Sequence, residues 1–80
     1  MARYYFDVIN GEGPMRDDEG MDLANADAVR AEVAKIAIAV ARDEIEDQQA
    51  MAVIVNVRDD SDFRIFSARL SYSTEWHDVA

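Results

Sequence analysis

Two apolar patterns in one short chain predict a two-layer α+β fold of order ββαββ, a four-stranded, mostly antiparallel sheet with one long helix packed on one face. Near the N-terminus, and again twice near the C-terminus, β-branched and aromatic residues alternate with polar ones. Between them lies a long stretch without Gly or Pro, in which apolar residues recur at helical spacing. A one-sided helical stripe needs a sheet to cover, and strands with one apolar face need a helix.

The first strand runs from Arg3 to Ile9, with Tyr4, Phe6 and Val8 on one face and Arg3, Tyr5 and Asp7 on the other. It ends at Asn10-Gly11-Glu12-Gly13, where Asn-Gly suits the positive-φ positions of a hairpin turn and Gly13 absorbs a bulge. A short second strand, Pro14 to about Asp17, reads as an edge strand because proline cannot donate to a ladder. Asp17-Asp18-Glu19-Gly20 then turns the chain, with Asp first and Gly fourth as a type I turn prefers.

Asn25 is the expected helix cap, its side-chain oxygen accepting from an amide of the first turn, and Asp27 suits the positive end of the helix dipole. The helix extends from Ala26 to about Asp47, and Val29, Val33, Ile36 and Val40, flanked by Ala37 and Ala26, form its core stripe. After Gln48-Gln49-Ala50, the segments Met51 to Arg58 and Phe63 to Tyr72 form two further strands joined across Asp59-Asp60-Ser61-Asp62. Two hairpins separated by a helix permit the strand order 2-1-3-4, wholly antiparallel, or 2-1-4-3, with the first and last strands parallel. If Phe66, Ala68, Leu70 and Tyr72 face the helix, Ile65 joins Tyr5 on the far face of the sheet.

Eighty residues allow one core, so a single domain over 1–72 with a tail over 73–80 is expected. Seventeen Asp and Glu against eight Lys and Arg leave nine net negative charges, which repel phosphate backbones and anionic lipid. Nucleic acid and membrane are therefore not expected partners. With no cysteine there is no disulfide, thiolate zinc site or cysteine nucleophile. No leader pattern precedes the first strand and no segment is apolar enough to span a bilayer, so the expected compartment is the cytoplasm.

Arg3-Tyr4-Tyr5-Phe6-Asp7, the glycine turn at Gly11, the Asp17-x-x-Gly20 turn and the alanine-rich helix together resemble a family of short bacterial proteins of unknown function, met chiefly in alphaproteobacteria. Its members open Met-x-Arg-Tyr-(Phe/Tyr)-Phe-(Asp/His)-Val. The resemblance implies one long helix and a terminal strand pair, and no catalytic residues. It departs at the last hairpin, where the family tends to place Gly and this chain has Asp62, a residue type that tolerates positive φ.

No constellation for catalysis can be assembled. His77, the single histidine, lies in the tail beside Trp76 and Asp78, and Ser61, Ser67, Ser71 and Ser73 lack a positioned base. Asp59, Asp60 and Asp62 offer hard oxygen ligands for Ca²⁺ or Mg²⁺, but without the glycine and distal glutamate of a loop site they read first as turn formers. The anomaly is a second helical row, Ala34, Ile38, Ala41 and Ile45, turned away from the core stripe. The row reads either as plain surface or a face covered by the tail and Trp76, or as a partner or self-association surface, and the open sheet face bearing Tyr5 is the other candidate contact surface. The expected function is a non-enzymatic protein-interaction module without cofactor that self-associates as a homodimer, with Ile38, Ala41, Ile45 and Tyr5 as interface candidates. The alternatives are a divalent cation or small cationic ligand on the acidic loops, and an acidic mimic of nucleic acid.

Overall fold

In the computed structural model, which describes residues 2–78, the alternation of Tyr4, Phe6 and Val8 becomes β1 (Ala2–Asn10), with Phe6 and Val8 buried. Asn10 Oδ1 accepts from the Glu12 amide, and Gly13, at φ 104°, turns the chain into β2 (Gly13–Met15). The positive-φ residue of this hairpin is thus Gly13 rather than Gly11. A separate short strand, β3 (Met21–Leu23), follows the second turn and pairs with the start of β1, Ala2 opposite Leu23 and Tyr4 opposite Met21. The expected second strand is therefore two three-residue pieces, β2 along Val8–Asn10 and β3 along Ala2–Tyr4.

Asn25 caps α1 (Ala26–Glu44), its Oδ1 accepting from the Ala28 amide at 2.9 Å. The helix stops earlier than its apolar pattern predicts and tightens into a 3-10 turn over Ile45–Asp47. β4 (Ala50–Arg58) and β5 (Arg64–Ser73) complete the sheet. Its order is β2-β1-β4-β5 with β3 also on β1, and every pairing is antiparallel, which selects 2-1-3-4 of the two arrangements open to the sequence. Thr74 adds to this sheet from the expected tail, its amide and hydroxyl both donating to the Gln49 carbonyl. Val79 and Ala80 lie outside the described residues.

Val53, Val55 and Val57 on the central strand β4 are fully buried and meet Phe6 and Val8 of β1 and Val29, Val33, Ala37 and Ala41 of α1. The two core alanines carry no side chain beyond Cβ, which lets the helix approach the sheet closely. Ile36 and Val40 pack at its margin. The opposite face of the sheet carries no second layer among the described residues. Asp7, Asn56, Arg58 and Ser67 stand there beside Tyr5, Ile9 and Ile54, with the Ser67 hydroxyl donating to Asn56 Oδ1.

Candidate functional site

The described residues bring chemistry together in two places, a charged network at one end of the open sheet face and an apolar border along β5. The network begins with a gap in the edge pairing. Between β2 and β3 the amide of Phe6 has no strand to donate to, and Asp17 Oδ2 accepts from it at 3.0 Å. Asp17 Oδ1 accepts from the amides of Glu19 and Gly20, and the Asp17 amide donates in turn to Asp7 Oδ1 at 2.9 Å. Arg58, on β4, closes the set: its Nε and Nη2 donate to the Asp7 carboxylate and its Nη2 also to the Asp17 carbonyl at 2.6 Å. Its guanidinium carbon lies 4.7 Å from the centre of the Tyr5 ring.

Burial raises the Asp7 carboxyl, but the Arg58 guanidinium and the Asp17 amide outweigh it and hold Asp7 below the usual carboxylate range. Asp17 is likewise raised by burial and brought lower on balance by the amides of Phe6, Gly20 and Glu19. Arg58 is pushed up, first by its hydrogen bond to Asp7. Both carboxylates are thus fixed as anions and the guanidinium as a cation, an arrangement that ties three stretches of chain together and offers no proton near neutral pH.

Beside the network a shallow cleft of roughly 240 Å³ is lined by Tyr5, Arg16, Asp18, Arg58, Asp60 and Asp62 among others. The acidic loop residues are engaged in turn chemistry: Asp59 Oδ1 accepts from the amides of Ser61 and Phe63, and Asp62 sits at φ 70° with Arg16 and Arg58 against its carboxylate. Among the described residues no group of three or more His, Asp or Glu is placed to hold a metal ion. His77 pairs loosely with Glu75 at 3.6 Å, both largely exposed.

The apolar border is built by α1 and β5. Arg30 shares a cleft with Ile65 and Phe66 of β5, whereas Val40, Asp43 and Glu44 share one with Asn10 and Met15 at the other side of the sheet. At 100° per residue Arg30, Ala34, Ile38, Ala41 and Ile45 fall within about 80° of one another, so this row is the flank of α1 that overhangs β5. Ile38 is 53% exposed, and Leu70 and Tyr72, on the helix side of β5, are 39% and 37% exposed. Ile45 is half-buried.

Two of the sequence assignments change. Ala41 is not on the free surface but in the core, because it lies at the inner margin of the row where its short side chain fits under the helix. Ile65 is not with Tyr5. The register slips between Val57 opposite Phe66 and Arg58 opposite Arg64, so Ile65 is the extra residue of a bulge and joins Tyr4, Val29 and Phe66 on the helix side. Tyr5 does lie on the open face, half-buried under Arg58 and against Gly20. Trp76 is 88% exposed and leaves Ile38 uncovered. The Arg58 network escaped sequence reasoning; its one local signal was the Asp17-x-x-Gly20 turn.

No helix among the described residues is long and apolar enough to cross a membrane. Residues 3–71 match the family described as Domain of unknown function (DUF6894). Comparison with curated proteins and with solved structures gives no match.

Proposed function

The chain belongs to the DUF6894 family of unknown function, and with no activity to inherit from it we propose that the protein is a non-enzymatic interaction module that self-associates through the α1–β5 border. One observation carries this reading. Arg30 shares a cleft with Ile65 and Phe66, so helical geometry turns the unpartnered row of α1 toward β5, and Ile38 on that row and Leu70 and Tyr72 on the helix side of β5 are each substantially exposed. A contiguous apolar patch on a small acidic protein is characteristic of a contact surface, whereas single exposed residues are ordinary. The charged network has a structural task of its own, with Arg58 tying Asp7 and the Asp17 turn to the sheet.

Sedimentation equilibrium over a concentration series tests the proposal, with twice the monomer mass expected. Ile38→Glu places a charge in the border and is expected to shift the mass to the monomer with the circular dichroism spectrum retained; an unchanged mass and fold would count against it.

A further inference from the structure

Resting on that reading, we infer that the border is closed by a second copy of this chain whose β5 pairs antiparallel with β5 of the first, on a two-fold axis through Leu70.

The direction of the backbone groups is the first ground. Successive amides of a strand point to opposite edges. Phe6 donates away from β4, to Asp17, so Tyr5, Asp7 and Ile9 turn toward β4 and meet Arg58, Asn56 and Ile54. Val53, Val55 and Val57 therefore turn to β5, where Leu70, Ala68 and Phe66 receive them. The Thr74 amide, which donates to the Gln49 carbonyl, continues the same parity. Ser67, Arg69, Ser71 and Ser73 thus present their amides and carbonyls outward along an edge that no strand among the described residues covers.

The second ground is the contrast between the edges of the sheet. On the β1 side the border strand is broken in two, carries Pro14 and has its gap filled by Asp17, devices that discourage added strands. β5 is ten residues long, has neither proline nor lysine, and bulges only near its start, leaving the run from Ser67 to Ser73 regular.

Charge and register then choose the occupant. In a chain with nine net negative charges, β5 holds Arg64 and Arg69 and no acid, so a β5–β5 seam brings no carboxylates of the strand together. Matching faces in an antiparallel pair restricts the two-fold to positions that place helix-side residues opposite helix-side residues. An axis at Arg69 would set two guanidinium groups opposite each other. An axis at Leu70 sets Arg69 opposite Ser71 of the second copy, Ala68 opposite Tyr72, and Ser67 opposite Ser73, all within the regular run. Leu70 meets itself in the close, non-hydrogen-bonded position, and the Ile38 flanks of the two helices come to lie on the same side of one continuous sheet.

Because the chain has no cysteine, a single introduced thiol reports only contacts between copies. Under mild oxidation Leu70→Cys is expected to form a covalent dimer, since a non-hydrogen-bonded pair brings the α-carbons to about 4.5 Å, within disulfide range. Ala68→Cys is expected not to, its two copies lying about 14 Å apart in this register. Arg69→Pro, which removes an outward amide and leaves the β4 bonds intact, is expected to weaken association at least tenfold while the monomer stays folded. A wild-type protein that is monomeric at every concentration defeats self-association itself and this inference with it. A wild-type dimer in which Leu70→Cys fails to crosslink, Ala68→Cys crosslinks as readily, or Arg69→Pro leaves association unchanged overturns the strand pairing and leaves self-association standing.

Discussion

Arg58 and Asp7 stand on neighbouring strands without being opposite each other. The register sets Tyr5 against Arg58 and Asn56 against Asp7, and the guanidinium reaches across the diagonal to the carboxylate, Nε to Oδ2 at 2.8 Å and Nη2 to Oδ1 at 3.2 Å. With the Arg58 side chain only 12% exposed and that of Asp7 24%, the pair is shielded enough for its geometry to matter.

Arg58→Lys keeps the charge but loses the two-pronged bond, the contact with the Asp17 carbonyl and the stack on Tyr5. It is expected to lower stability by more than loss of an exposed ion pair would, read from the midpoint of denaturant unfolding at unchanged slope. A loss as small as that of an exposed ion pair would mean that the network contributes little.

Stability is expected to fall on acidification. Asp7 and Asp17 are held below their ordinary range in the folded chain, so their contribution is fully present above the unfolded carboxylate value of about 4 and is lost as the pH drops through the lower folded values. In Asp17→Asn the acid-induced decline of the thermal midpoint should be shallower, and the midpoint at neutral pH lower, because the amides of Phe6, Glu19 and Gly20 all lose a charged acceptor and the single amide oxygen can serve only Phe6 or the Glu19–Gly20 pair.

Gly20→Ala should cost about 1–3 kcal/mol. The position sits at φ 73°, and a Cβ there would meet Tyr5 Cε2 at 2.8 Å and the Tyr4 carbonyl oxygen at 3.0 Å. Gly13→Ala is the control: its φ is 104° but nothing lies within 4 Å of the added carbon, so the difference between the two variants in thermal unfolding measures the crowding at Tyr5.

Asn25→Ala removes the bond to the Ala28 amide and is expected to cost about 1 kcal/mol, read by chemical denaturation. Asn25→Ser, which retains an acceptor, should recover most of it.

What the sequence made legible was local. The alternation around Phe6, the cap at Asn25 and the stripe through Val29 and Val33 each declare themselves within a few residues, and the α+β architecture follows from them. Asp62 also took the positive φ that its place in the turn requires. The second edge strand misled because Met21-Asp22-Leu23 is too short to show a period, and its pairing with Ala2–Tyr4 skips over the first hairpin. Ile65 changed sides because one bulge inverts the parity of what precedes it. The Arg58–Asp7–Asp17 set joins residues up to 51 positions apart, a separation that no spacing rule spans. Ile38 could be read as lying off the core stripe, but that its row is turned toward β5 needed the strand order, which the pattern left open.

The broken strand on the β1 side also sets a limit on size. A sheet that accepts strands along both margins can polymerise without end, as fibrils do. Here one margin is finished by Pro14 and the Asp17 carboxylate while the other is not, so a strand added at β5 finds no equivalent site across the molecule from which the next addition could start. Addition at that margin would be self-terminating, so the proposed pairing closes at two copies and does not extend into a filament.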